Sequence, residues 1–452
     1  MRKLHTLILL LITTAAQAQQ PVRLSLKECT DYALKHNYTV RNARIDVLIQ
    51  EAQVKQTVSA SLPHINGKAD LTYFNIPQRS FIDASTFPSG DPTAPPIPAG
   101  TIVPISFTIP WTASTGITAS QLIFDGSVLV ALQARKSVIE LAQQTEKVTQ
   151  QTVRYNVFKA YNSLVIAYRQ YDIVKSSLGF IRSMARDLEI MRENGFVEKI
   201  EVERTTVQLN NLATDSMRIG NMLTVSEQVL KFQIGMDINT PIVLTDTNVD
   251  KGMGEAALLL AEPKDYDRLP EYNALKTALR LNEFNLRRYK LAALPTLSGF
   301  WSYGVNTGSD EFGDLLKYRA YYPNSTFGLS LTMPIFNGFM RQYQVKEANL
   351  NVEKSKNNID NLKLGLDFQS ASAKTNLRNS LLLMDAQRRN LVLASDVLDL
   401  AQKKYKAGVG SNMEVVQAQT ELLRSQNNYF GALLEVTNAQ ADLRKALGLL
   451  NQ

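Results

Sequence analysis

Two periods of hydrophobic and polar positions alternate along this chain. Over 64–73, Ile65, Gly67, Ala69, Leu71 and Tyr73 take every second position, and His64, Asn66, Lys68, Asp70 and Thr72 fill the places between. That is a strand with one apolar face and one polar face. The alternation returns where Phe327, Leu329, Leu331 and Met333 interleave with Thr326, Gly328, Ser330 and Thr332. Two less regular segments, about 114–123 and 296–304 with Trp301 and Tyr303, are the expected partner strands. Four strands of roughly ten residues result, the length that crosses a bilayer when tilted.

Elsewhere the period is helical. One helix is expected from Leu26 to about Ser61 and another from about Tyr266 to Ala293. Each ends at Leu-Pro, Leu62-Pro63 or Leu294-Pro295, where the chain must leave the α-region. After Gly126 and Gly338 the helical period holds without proline to Gly195 and Gly408, over 68 or 69 residues. At 1.5 Å per residue each would be roughly 100 Å long. A returning limb of 39 residues reaches Gly235 or Gly448, roughly 60 Å. A short helix and a returning limb together match one long helix, so they can stack end to end beside it. In the second limb Val415, Ala418, Leu422, Ser425, Tyr429, Ala432, Val436, Ala439, Leu443 and Ala446 step by three and four throughout. A maintained heptad of this kind predicts close, left-handed coiled-coil packing.

These elements occur twice. Gln121-Leu-Ile-Phe-Asp-Gly126 returns as Met333-Pro-Ile-Phe-Asn-Gly338. Asn194-Gly195 with Glu201-Val202 returns as Ala407-Gly408 with Glu414-Val415, and Gly235 returns as Gly448, at offsets of 212 to 213. A period this long is a duplicated large unit, not a solenoid of small repeats. The expected division is a leader at 1–18, a first repeat at 19–236, a linker at 237–265 and a second repeat at 266–452. The linker, with Gly252-Met-Gly254, is expected outside the helical wall.

Four strands cannot close a barrel, and an open edge in lipid leaves unpaired backbone groups at several kcal/mol each. Several copies must therefore share one barrel: two would give eight strands and three would give twelve. Lys68 and Asp70 would then face a lumen and the apolar side would face lipid.

Composition narrows the function. Arg2 and Lys3, the apolar run Leu7 to Ile12 and Ala16-Gln-Ala18 read as a secretory signal peptide. Removing it takes two positive charges from a net +7, leaving a mild balance with no basic block and no expectation of nucleic-acid binding. Cys29 is the single cysteine, so no internal disulfide is possible, and it is expected to be half-buried on a helix. The mature histidines, His36 and His64, are far apart in sequence, so neither a metal site nor a cofactor is expected. No catalytic motif such as G-x-S-x-G or H-E-x-x-H occurs, and the expectation is a protein that is not an enzyme.

Leu24-Ser-Leu-Lys-Glu28, Tyr32-Ala-Leu-Lys-His-Asn37, the Leu-Pro strand entries, the Ile-Phe-Asp/Asn-Gly strand exits and Tyr405-Lys-Ala-Gly-Val-Gly410 leading to Glu414-Val415 together resemble the TolC-type outer membrane efflux family. The resemblance spans the mature chain. It implies a mixed α+β membrane protein: a homotrimer whose twelve-stranded transmembrane β-barrel, four strands per chain, is continued by a long antiparallel α-helical periplasmic barrel. It implies an outer membrane exit duct of a tripartite efflux or type I secretion system, meeting a periplasmic adaptor and, indirectly, an inner-membrane pump. The turns at Gly195 and Gly408 would be the periplasmic tips, with Gly195, Gly408 and Gly410 expected as turn formers because glycine admits positive φ. The family's tip pattern carries an acid six residues after the glycine, matched by Glu201 and Glu414, and a tyrosine three before it, matched by Tyr405. Where studied members carry a further acid and an arginine, this chain has Gln417 and Gly410. Three copies of Glu414 near an axis would attract cations; the competing reading is ion pairing of Glu201 and Glu414 at helix starts, with Lys199, Arg204 or another limb as partner. The alternative function is a structural periplasmic coiled-coil protein without a pore.

Overall fold

The computed structural model describes residues 21–86, 98–246, 252–316 and 321–450. The leader and the Pro88-to-Pro96 part of the first inter-strand loop lie outside the described residues. The chain forms two compact units: one built from residues up to Glu51, Ser137–Arg280 and Glu353 onward, the other from Ala52–Lys136 and Leu281–Val352.

The duplication is visible in element lengths. The short helices α1 (Leu26–His36) and α2 (Tyr38–Ser59) lead into β2 (His64–Tyr73), following a brief strand β1 (Val22–Leu24). A hairpin of β3 (Ser80–Asp83) and β4 (Ile102–Ile105) stands between β2 and β5 (Trp111–Phe124). Then come α3 (Gly126–Glu193, 68 residues) and α4 (Lys199–Ile234, 36 residues). The linker holds β6 (Ile242–Leu244) and α5 (Gly252–Leu259). The second copy is α6 (Pro270–Leu291), β7 (Thr296–Ser309), β8 (Tyr322–Thr332), α7 (Met340–Lys406, 67 residues) and α8 (Asn412–Ala446, 35 residues). No described helix is long and apolar enough to cross a membrane.

In the helical unit, the expected first helix is two. Asn37 breaks it with an extended conformation (φ −62, ψ 127). Its Oδ1 accepts the N–H groups of Thr39 and Val40, and its Nδ2 donates to the Gln233 carbonyl at the end of α4. One side chain thus caps one helix and receives the end of another. Gly235 explains the need: a Cβ there would lie 2.8 Å from the His36 carbonyl oxygen and 2.9 Å from Asn37 Cα. The second copy repeats this stacking, with Gly448 against Arg268. The expected end-to-end pairs therefore exist, but the first requires a break.

The linker packs against the helices through part of its side chains. β6 pairs in parallel with β1, and Ile242 and Leu244 join Cys29, Ala33, Val40, Val157, Tyr161 and Ile234 in one buried cluster. Ala256 of α5 is fully buried against Leu377, Leu433 and Leu443. Cys29, expected half-buried, has no exposed surface at all; burial pushes its thiol up to about 12. In α8 the heptad residues are buried except Leu422 and Tyr429, which are half-buried, so the predicted seam is the packed face.

The sheet unit is a four-stranded antiparallel sheet in the order β2-β5-β7-β8. Residues paired across antiparallel strands share a face. One face therefore carries rows such as Ile65–Ala119–Trp301–Phe327 and Gly67–Ile117–Tyr303–Ser325. The other carries Asn66–Thr118–Ser302–Thr326 and Asp70–Ser114–Asn306–Tyr322. The irregular strands β5 and β7 fall into the same apolar and polar sides as β2 and β8. β5 and β7 are longer than expected because their outer ends pair Trp111 with Ser309; β8 stops at Thr332, one residue short of Met333, since Pro334 follows.

Candidate functional site

The two glycine turns are built alike. Gly195 (φ +79) and Gly408 (φ +74) sit in the left-handed region. At the first, Gly195 N–H donates to Arg192 O and Phe196 N–H to Met191 O; at the second, Gly408 N–H donates to Tyr405 O and Val409 N–H to Lys404 O. This pair of bonds is the Schellman stop, and it needs positive φ, which glycine supplies without a Cβ clash. Gly410, expected to turn the chain in the same way, does not adopt positive φ. Its glycine is required for space: a Cβ would lie 2.9 Å from Lys404 Cβ and 3.0 Å from Tyr405 N.

A buried cluster of Met184, Leu188, Leu398, Ala401, Val415, Val416 and Ala418, flanked by Val197, Val202 and Tyr405, brings the two turns side by side. Tyr405 is half-buried, with its hydroxyl 4.0 Å from Met191 Sδ. The acids behave differently. Glu201 lies in the first turn of α4, 3.7 Å from Arg204 Nη1, so the local ion-pair reading holds for it. Glu414 is exposed in the first turn of α8; its backbone N–H donates to Ser411 Oγ, which caps the helix. No ion pair to Glu414 occurs among the described residues. Glu414 and Gln417 line a groove of about 350 Å³ between α7 and α8, together with Glu421 and Lys404. Glu414, Gln417 and Glu421 share one helix face by their spacing.

Three features were missed. Phe196 and Val409, the residues after the two turn glycines, are 79% and 78% exposed. Being apolar directly after the stop glycine in both copies is the signal that points to them. Glu421, one turn beyond Gln417, puts a second carboxylate on the Glu414 face. Neutral hydrogen bonds also tie α8 to the first repeat: Asn412 Nδ2 to Thr205 Oγ1 at 3.2 Å, Gln419 Nε2 to Ser177 Oγ at 3.1 Å and Gln208 Nε2 to Thr420 Oγ1 at 3.0 Å. Nothing in the sequence pairs these residues, which are about two hundred or more positions apart.

In the sheet unit, Lys68 and Asp70 both lie on the polar face, Nζ to Oδ2 at 2.9 Å, and Ser114 Oγ donates to the same oxygen at 3.5 Å. Exposed as it is, this pair is worth at most ~1 kcal/mol; its effect is to neutralise two charges on that face. No group of three or more metal-ligating side chains occurs among the described residues.

Comparison with known proteins follows the same landmarks. The sequence pattern of the outer membrane efflux protein family matches residues 30–235 and 292–449. The outer membrane protein TolC of Salmonella enteritidis is 22% identical over 454 residues, covering 97% of this chain and 84% of that protein. The alkaline protease secretion protein AprF of Pseudomonas aeruginosa is 25% identical over 190 residues, covering 40% and 37%. The crystal structure of the Campylobacter jejuni CmeC outer membrane channel superposes with a TM-score of 0.70 at 20% identity, covering 94% of this chain and 85% of that one. The long paired helices and four-stranded sheet are thus the fold of the TolC-like channels. The chain is an outer membrane protein extending into the periplasm, and it belongs to the outer membrane efflux protein family.

Proposed function

We propose that three copies of this chain form one twelve-stranded barrel and act as the exit duct of a tripartite efflux or secretion system. The observation that carries this reading is the sheet. It is apolar on one side across all four strands, yet β2 and β8 each keep one edge without a strand partner among the described residues. In lipid such edges are untenable. The strand order makes β2 and β8 antiparallel to one another, so β8 of one copy can continue the ladder on β2 of the next, and the alternation survives closure. The apolar face, with Phe327 87% exposed, then meets lipid, and the polar face with Lys68 and Asp70 lines the lumen.

The helical units would form the periplasmic wall. Exposed apolar side chains run along α4 (Val207, Met217, Val225) and α7 (Leu364, Phe368, Leu382, Leu393), as surfaces awaiting sister subunits do. The Gly195 and Gly408 turns are the ends that would close the duct and receive an adaptor protein, with Phe196 and Val409 as apolar contacts. Three copies of the Glu414 face would make a cation-attracting ring at the constriction. The duct conducts passively, needs no cofactor and leaves the choice of cargo to the pump; AprF, a secretion protein, and CmeC, an outer membrane channel, support the class. The deciding experiment is single-channel recording in planar bilayers with purified protein of measured oligomeric state. A discrete conductance is expected, and a correctly assembled protein that conducts nothing would sink the duct reading.

A further inference from the structure

A pocket of about 370 Å³ opens beside α3 where α6 begins. Its wall carries three cations, Lys147 and Arg154 from α3 and Arg268 from the turn before α6, against one carboxylate, Asp267. The charges are unevenly matched. Arg268 faces Glu262 and Asp265, each at 3.5 Å, and Asp267 faces Lys276 at 3.5 Å. Lys147 and Arg154 have no ion pair, hydrogen bond or ring contact among the described residues, and Arg154 Nε is shut away from solvent without an acceptor. Folded proteins rarely leave a buried guanidinium N–H in that condition.

The first repeat supplies an internal comparison. The Leu-Pro sites at 62–63 and 294–295 set the offset between the short helices, which pairs Asn37 with Leu269. At the start of α2, Asn37 Oδ1 accepts two backbone N–H groups, at 2.8 and 3.4 Å. At the start of α6, Leu269 has no side-chain acceptor to offer, and Pro270 and Asn273 of that first turn line the pocket. The first copy carries its own acceptor at the junction. The second has no such acceptor and is lined by unpaired cations instead.

We propose that this pocket binds a phosphate-class oxyanion, as a free ion or as the charged end of a larger solute. Arg154 and Lys147 supply charge-assisted hydrogen bonds, and the dipole at the start of α6 adds to the positive potential of the pocket. The bound anion joins α3 to the α6 start and so stiffens the junction at which Gly448 packs on Arg268.

The test uses full-length protein in detergent, titrated with inorganic phosphate and with glycerol 3-phosphate, against sodium chloride at matched ionic strength. Isothermal titration and thermal unfolding should both report saturable binding. Tighter binding of glycerol 3-phosphate assigns the site to a larger solute, and equal binding to the free ion. Arg154→Gln should weaken binding at least ~10-fold, and Lys147→Gln, at an exposed position, should weaken it severalfold without touching the fold. Lys264→Gln, which removes a cation paired with Asp367 away from the pocket, should change nothing. The proposal is overturned if chloride reproduces the effect, if no saturable binding occurs, or if the Lys147→Gln and Arg154→Gln variants, verified as folded by circular dichroism, bind as the parent does.

Discussion

The stops at Gly235 and Gly448 and the turns at Gly195 and Gly408 use one hydrogen-bond pattern. All four glycines have φ between +73 and +79, and each is followed by a residue whose N–H reaches five residues back. Their surroundings differ completely. An added Cβ meets nothing within 4 Å at Gly195 or Gly408, whereas at Gly235 it meets the backbone of His36 and Asn37. The local motif decides how a helix ends. Packing decides whether that end is a joint or a free tip, and only the joint is fixed by both conformation and space.

The largest expected effect tests that distinction. Gly235→Ala adds left-handed strain of about 1–2 kcal/mol to an overlap with backbone that cannot yield, about 1–3 kcal/mol more. Denaturant melting should show a loss of about 2–5 kcal/mol. Gly448→Ala, whose nearest contact is 3.1 Å, should lose less. Equal losses at Gly235 and Gly195 would erase the contrast between joint and tip.

The joint should also be the alkali-sensitive end. Burial pushes the Cys29 thiol and the Tyr161 phenol up to about 12 each, from 9.0 and 10.0. Both belong to the cluster around the Gly235 stop. Raised values favour the neutral, folded form. Their contribution is whole below about pH 9, falls as pH rises through the ordinary values, and is gone above about 12. Helicity followed by circular dichroism should decline over pH 9–12, and Cys29→Ala with Tyr161→Phe should move that limb upward. An unmoved limb would assign alkaline unfolding to other groups.

Within the tips, Gly410→Ala should cost about 1–3 kcal/mol through overlap alone. Gly195→Ala and Gly408→Ala should cost about 1–2 kcal/mol each through strain alone. The smallest effects concern the acids. Arg204→Gln removes an exposed ion pair and should cost less than ~1 kcal/mol. Glu414→Gln should leave melting within ~0.5 kcal/mol of the parent, yet change the cation selectivity of the channel. Unaltered selectivity in a variant that assembles as the parent does would make Glu414 a helix-start residue and nothing more.

Much of this was legible along the chain. Period two marked the apolar and polar sides of β2 and β8, because alternation is a direct record of a two-faced sheet. The glycines at 195, 408, 235 and 448 marked helix ends because positive φ leaves little other choice. The heptad marked the buried face of α8, because a seven-residue repeat has one packing solution. The break at Asn37 was not legible: asparagine occurs within helices, and its capping role depends on α4 arriving from nearly two hundred residues away. The linker's buried Leu244 and Ala256 were obscured by neighbouring glycine and polar residues, which suggest an exposed segment whatever the apolar side chains do.

The sequence by itself determined the duplication, the element types and the turns, since periodicity and backbone freedom are local properties. Tertiary structure decided that Gly235 must be glycine for space, that Glu414 meets no ion-pair partner among the described residues, and that all four strands share one apolar side. Those are matters of distance between residues remote in sequence, and no local pattern encodes them.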